Sequence, residues 1–294
     1  MNLKGLGVAM VTPFNQDGTV DFESIPTVVE HIISGNADYI VVMGTTGEAV
    51  CLSAKEKRQI IEVIIAANQK RLPLVIGIGG NNTAQVVYEI QATDLSAFGA
   101  ILSVSPYYNK PSQEGIYHHY SEIAKASPLP IIVYNVPSRT GSVVEVSTFI
   151  RLTQDFENII AIKEASGSML HAQEIIKQAG SHIQVISGDD ALTLPMLLAG
   201  AVGTISVLGN AMPIPLTRIF DYVRKGDLNK AYQLHYQLLD LIQLLFEEGN
   251  PTGIKALMKI LGLCSQQVRL PLVQATPILK QRIEEYLEYS VYTL

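Results

Sequence analysis

Lys163 is the residue least suited to its surroundings. It ends an apolar run, Ile159-Ile160-Ala161-Ile162, so its amine either escapes to water or is held inside the protein. With the two-residue period of a strand it shares a face with Ala161 and Ala165, small residues that leave room for it. Burial penalises the ammonium form and favours the free amine, the form that attacks a carbonyl carbon to give a Schiff base. Glu164 falls on the opposite face and reads as structural. Tyr134, at the end of another apolar run, could shuttle protons for carbinolamine collapse and enamine formation, or pack as an ordinary rim aromatic. Arg139 lies in a segment marked by Pro137 and Gly141. Its fork suits a carboxylate, or a surface salt bridge. Thr45 and Thr46 offer hydroxyls and backbone N–H groups suited to a carboxylate or a proton relay, or simply to a helix-entry turn.

Other reactive side chains read as structural. His118 and His119 are adjacent in a helical pattern, where neighbouring positions point in different directions, so a shared metal is not expected. Asp189 or Asp190 fits as the cap of the next helix. Cys51 and Cys264 are far apart and outside any CxxC spacing, which argues against zinc or a disulfide framework and for two small buried thiols. No metal and no cofactor are expected.

A scaffold must bring these positions together. Eight runs rich in Val and Ile recur roughly every 20–35 residues, the spacing of βα units. They are GLGVAMVTPF from Gly5, YIVVMGTT from Tyr39, PLVIGIGG from Pro73, AILSVSPYY from Ala100, PIIVYNVP from Pro130, IIAIKEAS from Ile159, IQVISGD from Ile183 and VGTISVLGN from Val202. Their near-continuous apolar character is that of parallel strands covered on both faces. Helical periodicity fills the gaps, as at Ile25, Val28, Val29, Ile32 and Ile33, with Gly35 as a stop. Ser53 and Glu56 form a capping box; Asn81 or Asn82, and Ser112, cap the helices after the third and fourth runs. Eight such units imply a closed (β/α)8 TIM barrel, an α/β fold. The open doubly wound sheet lacks its GxGxxG signature here, because Gly77, Gly79 and Gly80 are followed by Asn at position 82. From about Met212 onward the pattern is helical, with Leu234, Leu238, Leu241, Leu245 and Phe246 marking a long amphipathic helix. The expected organisation is a catalytic barrel over 1–225 and a C-terminal helical extension over 226–294 packed on it. In such a barrel the active site lies beyond the C-terminal ends of the strands. That position gathers Thr45 and Thr46, Tyr108, Tyr134, Arg139, Lys163 and Gly188.

Composition narrows the function. The formal net charge of −6 provides no basic footprint for nucleic acid, yet leaves room for an anionic substrate bound by a local arginine. The uncharged stretch 191–217 is long enough to span a membrane. Pro195, Gly200, Gly203, Gly209, Pro213 and Pro215 interrupt it, so a short helix, a strand and a loop fit better. The opening MNLKGLGVAMVTPF has no secretory apolar stretch with a cleavage site and enters the first strand directly; a cytoplasmic location is expected.

The motifs GTTGE, YYNKP, YNVPSRTG and IKEASG, in that order over nearly the whole chain, resemble those of the pyruvate-dependent class I aldolase superfamily typified by N-acetylneuraminate lyase and dihydrodipicolinate synthase, and are nearest the synthase branch. The resemblance implies that Lys163 forms the Schiff base and that Tyr134 is the central proton shuttle. Thr46 and Tyr108 would complete its relay, the tyrosine reaching in from a neighbouring subunit. Thr45 would contact the pyruvyl carboxylate and Arg139 the carboxylate of a second substrate. Gly188 and Ile205 would line the pocket through their backbones. An arginine at 139 fits L-aspartate 4-semialdehyde better than a polyol aldehyde, so the implied reaction is condensation of pyruvate with that semialdehyde, the entry to the diaminopimelate route to lysine. The resemblance also implies a homo-oligomer, a tetramer built as a dimer of dimers. Retro-aldol cleavage of a 2-keto-3-deoxy sugar acid or sialic acid is the alternative chemistry. A silent barrel that only binds a 2-oxo acid is disfavoured by the joint presence of these residues.

The chain departs from feedback-regulated members of the family at the lysine-binding interface. Asn81 and Tyr107 match that site, but Ala49, Ala54, Lys57 and Gln85 stand where regulated members often carry serine, histidines and a glutamate. A cationic Lys57 and a neutral Gln85 disfavour a cationic ligand. Lysine is therefore expected to inhibit weakly or not at all, and a titration of turnover with lysine checks this; inhibition at low lysine concentration would contradict it.

Overall fold

The computed structural model describes residues 1–180 and 182–290. Eight strands, β1 (Gly5–Ala9), β2 (Tyr39–Val42), β3 (Leu74–Gly77), β4 (Ala100–Val104), β5 (Ile131–Asn135), β6 (Ile159–Glu164), β7 (Gln184–Ser187) and β8 (Gly203–Ser206), are joined in sequence order in a closed barrel. Each falls within one of the eight apolar runs, and the pairings resolved between neighbours are parallel. The chain divides into two compact units, residues 1–4 with 73–205 and residues 5–72 with 206 onward.

The first unit carries β3 to β7 and most of β8. Its strands are almost wholly buried, with Ile131, Ile132, Val133, Ala161 and Ile162 fully excluded from solvent. Its helix starts are capped by the expected side chains: Asn82 accepts from the Gln85 N–H and Ser112 from the Gly115 N–H. The β5–β6 pairing is irregular. Ile131 faces Ile159, but Ile132 faces Ala161, so β6 carries one extra residue there.

The second unit holds β1, β2 and the C-terminal helices. The Ser53–Glu56 capping box is complete in both directions, and Gly35 ends the helix Ser24–Ser34. The helix Leu228–Glu247 packs against Pro213–Arg224 and Thr252–Ile260. It buries Leu234, Leu238, Leu241 and Leu245 as its periodicity predicts, but Phe246, one position off the stripe, is exposed. Cys264 is buried; Cys51 is only half-buried, because it sits in a surface turn, not on a core face. The uncharged stretch is broken into a helix (Thr193–Ala199), β8, a short turn and the start of Pro213–Arg224. The loop expected after the strand spans 207–212, and the helical pattern expected from about Met212 begins at Pro213; Pro213 and Pro215 sit in its first turn, where a missing N–H costs nothing. No helix among the described residues is long and apolar enough to cross a membrane.

Candidate active site

In the first unit the register places Tyr134 directly beside Lys163 on the neighbouring strand. Lys163 is 5% exposed, and its Nζ lies 4.4 Å from the centre of the Tyr134 ring. On its other side Lys163 is paired with Ile186 of β7, which leads to Gly188. A side chain at 188 would have no room: a Cβ there would stand 2.6 Å from Ala165 Cβ and 2.9 Å from Lys163 Cε. Glycine is required because the lysine chain runs across its backbone. Lys163, Tyr134, Ala165 and Gly188 thus form one cluster at the C-terminal ends of β5 to β7. Ile205 is buried in β8. Arg139 is exposed in the short helix Pro137–Thr140 that follows β5. Tyr108, after β4, is 89% exposed and holds a left-handed backbone (φ 71°), an uncommon state for a bulky residue and one that clusters at functional sites.

Behind Lys163, Glu164 points away from the cluster and is fully engaged. Its Oε2 accepts from Asn135 Nδ2 at 2.8 Å and faces His171 Nδ1 at 3.0 Å; its Oε1 accepts from the Ser166 N–H at 2.7 Å. Burial pushes this carboxyl upward, but the hydrogen bonds from His171, Asn135 and Ser166 outweigh it and hold Glu164 below the usual carboxylate range. The carboxylate next in sequence to the lysine is therefore committed elsewhere.

In the second unit Thr45 and Thr46 form a tight 3₁₀ turn after β2, closed by Glu48 in a left-handed conformation (φ 52°). Thr46 is buried, and its Oγ1 accepts from Asn250 Nδ2 at 3.0 Å. Glu48 is buried too. Its Oε1 accepts from Lys255 Nζ at 2.6 Å and its Oε2 from the Arg269 N–H at 2.8 Å. Lys255, 0% exposed, also donates to the Gln267 carbonyl at 2.8 Å and lies 4.2 Å from the centre of the Phe14 ring. Burial pulls its ammonium below the ordinary lysine value, opposed by Glu48. Arg269 stacks over the same ring and ion-pairs with Glu56, which sits at about 2 because the Arg269 guanidinium donates to it.

The other candidates are structural. His119 is buried beside Thr83, and burial brings its ring down to about 4, whereas His118 pairs with Glu114 on the surface. Asp189 accepts from the Ala191 N–H as a cap. Among the described residues no group of three or more His, Cys, Asp or Glu is placed to hold a metal. Asn81 donates to the Tyr107 carbonyl at 3.1 Å, and Gln85 is exposed one turn into the next helix.

The sequence model of the Dihydrodipicolinate synthetase family matches residues 2–289. The chain belongs to this family. It is 49% identical to the 4-hydroxy-tetrahydrodipicolinate synthase of Flavobacterium psychrophilum, over 95% of this chain and 96% of that protein. It is 44% identical to that of Parabacteroides distasonis, over 98% and 97%. The fold matches the crystal structure of dihydrodipicolinate synthase from Aquifex aeolicus with a TM-score of 0.94 and 38% identity, over 99% of each chain. It also matches the chloride-inhibited dihydrodipicolinate synthase from Acinetobacter baumannii complexed with pyruvate, with a TM-score of 0.94 and 37% identity, over 98% of each. Within this member of the dihydrodipicolinate synthetase family, sequence reasoning missed Asn250, Lys255, Arg269, Asn135 and His171. The apolar run Gly253-Ile254-Lys255-Ala256-Leu257-Met258, interrupted by Lys255 alone, was the one available signal, of the same kind that singled out Lys163.

Two outcomes follow from this geometry. Lys255→Met leaves Glu48 as a buried, unpaired carboxylate and should cost about 3–5 kcal/mol, with part of that recovered by adding Glu48→Gln; urea denaturation followed by circular dichroism measures both. Gly188→Ala should fold but displace the lysine stem, lowering borohydride-trapped pyruvate adduct at Lys163 roughly tenfold or more, as read by mass spectrometry.

Proposed function

We propose that the cluster around Lys163 carries out the reaction for which the curated relatives are named: this chain condenses pyruvate with L-aspartate 4-semialdehyde to 4-hydroxy-tetrahydrodipicolinate. The observation that carries this reading is a buried lysine amine set directly beside a tyrosine at the open ends of barrel strands. The Lys163 amine attacks the pyruvate carbonyl carbon, water leaves, and an imine forms. Loss of a methyl proton gives the enamine, whose carbon attacks the aldehyde of the second substrate. The substrate's own amine then attacks the imine carbon, closing the ring and releasing Lys163. Tyr134 moves the protons in these steps, with Thr46 and Tyr108 as the other hydroxyls of its relay. Thr45 holds the pyruvyl carboxylate, Gly188 and Ile205 shape the pocket, and Arg139 holds the carboxylate of the semialdehyde. The solved relative complexed with pyruvate supports pyruvate as the first substrate.

In this reading Tyr108 is an arm toward a neighbouring subunit, which its exposure supports. The reading therefore includes a homo-oligomer, a tetramer made of two dimers, and a cytoplasmic location. No metal and no cofactor enter any step.

The test is a product assay with pyruvate and aspartate semialdehyde, run beside sugar-acid aldehydes, together with borohydride trapping. Product with the semialdehyde and a pyruvate adduct at Lys163 are expected; product only with sugar-acid aldehydes overturns the assignment. Arg139→Ala should raise KM for the semialdehyde about tenfold or more, the worth of a charge-assisted contact, while pyruvate trapping at Lys163 is retained. Tyr108→Phe should slow turnover.

A further inference from the structure

Four groups behind the Lys163–Tyr134 pair close a ring of hydrogen bonds. Asn135 Nδ2 donates to Glu164 Oε2, and Asn135 Oδ1 accepts from the Val144 N–H at 3.0 Å. The His171 ring spans the remaining gap, its Nδ1 3.0 Å from Glu164 Oε2 and its Nε2 3.1 Å from the Val144 carbonyl oxygen. A carboxylate and a carbonyl can only accept. Both ring nitrogens therefore have to donate, which a neutral imidazole cannot do. We infer that His171 is held as an imidazolium and acts as a positioning residue for Arg139, clamping the loop 136–143 against the strand ends that carry Tyr134 and Lys163.

The placement supports this. Asn135 follows Tyr134 and Glu164 follows Lys163, and the two are paired across β5 and β6. Asn135 and Val144 are the two ends of the loop that contains Arg139, and the ring ties both ends down. The imidazole is mostly buried, with 16% of its side chain exposed, so water does not readily replace a lost bond. His171 lies in the first turn of the helix Met169–Ala179, an end that disfavours a cation; the charge depends on Glu164. The hydrogen bond that His171 Nδ1 donates to Glu164 raises the ring above the ordinary histidine value. On the helix Val146–Asp155, Arg151 pairs with Glu114 and Asp155 accepts from Tyr117; Glu145, which precedes that helix, is exposed; and neither the helix Thr193–Ala199 nor β7 carries a charge. Because the folded value is raised, the clamp is fully made below the unfolded value near 6.5 and is lost as pH rises through the folded one.

The inference rests on the reading of Arg139 as the binder of the second substrate's carboxylate, and the experiment separates the two. Nitrogen-15 NMR of the ring near pH 7 should find both His171 nitrogens protonated. His171→Gln, which cannot donate both ways, should speed amide exchange in 136–143 and raise KM for the semialdehyde about tenfold, the worth of one charge-assisted hydrogen bond. Its kcat and pyruvate trapping at Lys163 should change less than about threefold, under half of that free energy. His171→Arg, a permanent two-way donor, should restore the low KM and remove its rise with pH. A neutral ring near pH 7, or His171→Gln with wild-type exchange and KM, overturns the proposal. If Arg139→Ala leaves KM for the semialdehyde unchanged, the reading of Arg139 fails, while amide exchange still decides whether His171 clamps the loop.

Discussion

A lysine that attacks a carbonyl has to be shielded from bulk water without surrendering its amine to a neighbouring carboxylate. On the proposed reading of Lys163, that constraint governs the region around β5, β6 and β7. Glu164 is next in sequence to Lys163 and would be the natural ion-pair partner of any lysine on a flexible segment. The strand turns it to the opposite face, and Asn135, His171 and the Ser166 N–H hold it there. What the amine meets instead is the face of the Tyr134 ring, a neighbour that tolerates either protonation state and carries a hydroxyl able to move protons. The small residues Ala165 and Gly188 make the space through which the lysine stem reaches this position.

The second unit meets a related demand by other means. The Thr45–Thr46 turn is short and has a left-handed residue at its end, so local sequence alone holds it weakly. Its support comes from far along the chain, where Asn250, Lys255 and Arg269 reach Thr46 and Glu48. A buried ion pair of this kind contributes little net stability, but breaking it is costly. It therefore serves as a geometric lock. The C-terminal helical segment, which by sequence looks like an appendage, supplies the groups that fix this turn.

The readable part of the molecule was that governed by local periodicity. All eight strands, the capping residues Ser53, Asn82 and Ser112, and the shared face of Ala161 and Lys163 follow from patterns a few residues long. Phe246 and Cys51 departed from expectation because each depends on where a stripe or turn ends, a matter of one residue. The pairings Lys255–Glu48 and His171–Glu164 were illegible for different reasons. The first joins residues 207 apart. The second lies only seven apart, but its meaning depends on a carbonyl at Val144 that no side-chain pattern encodes. The buried position of Lys163 was legible as an anomaly in an apolar run; the roles proposed for the residues around it came through family resemblance.

The extra residue of β6 opposite the Ile131–Ile132 step gives the strand a memory of its length. Side chains alternate along a strand, so shifting this one by a single position exchanges its two faces. Lys163 would then turn outward and Glu164 would occupy its place beside Tyr134. Point substitutions can drift along 159–162 as long as they remain apolar, but loss of one residue there would put the acid Glu164 in the place of the proposed nucleophile, and gain of one would put Ile162 there. Over evolutionary time this stretch should change in composition and not in count, and a homologue in which the count differs has to be examined for a nucleophile arriving from another strand.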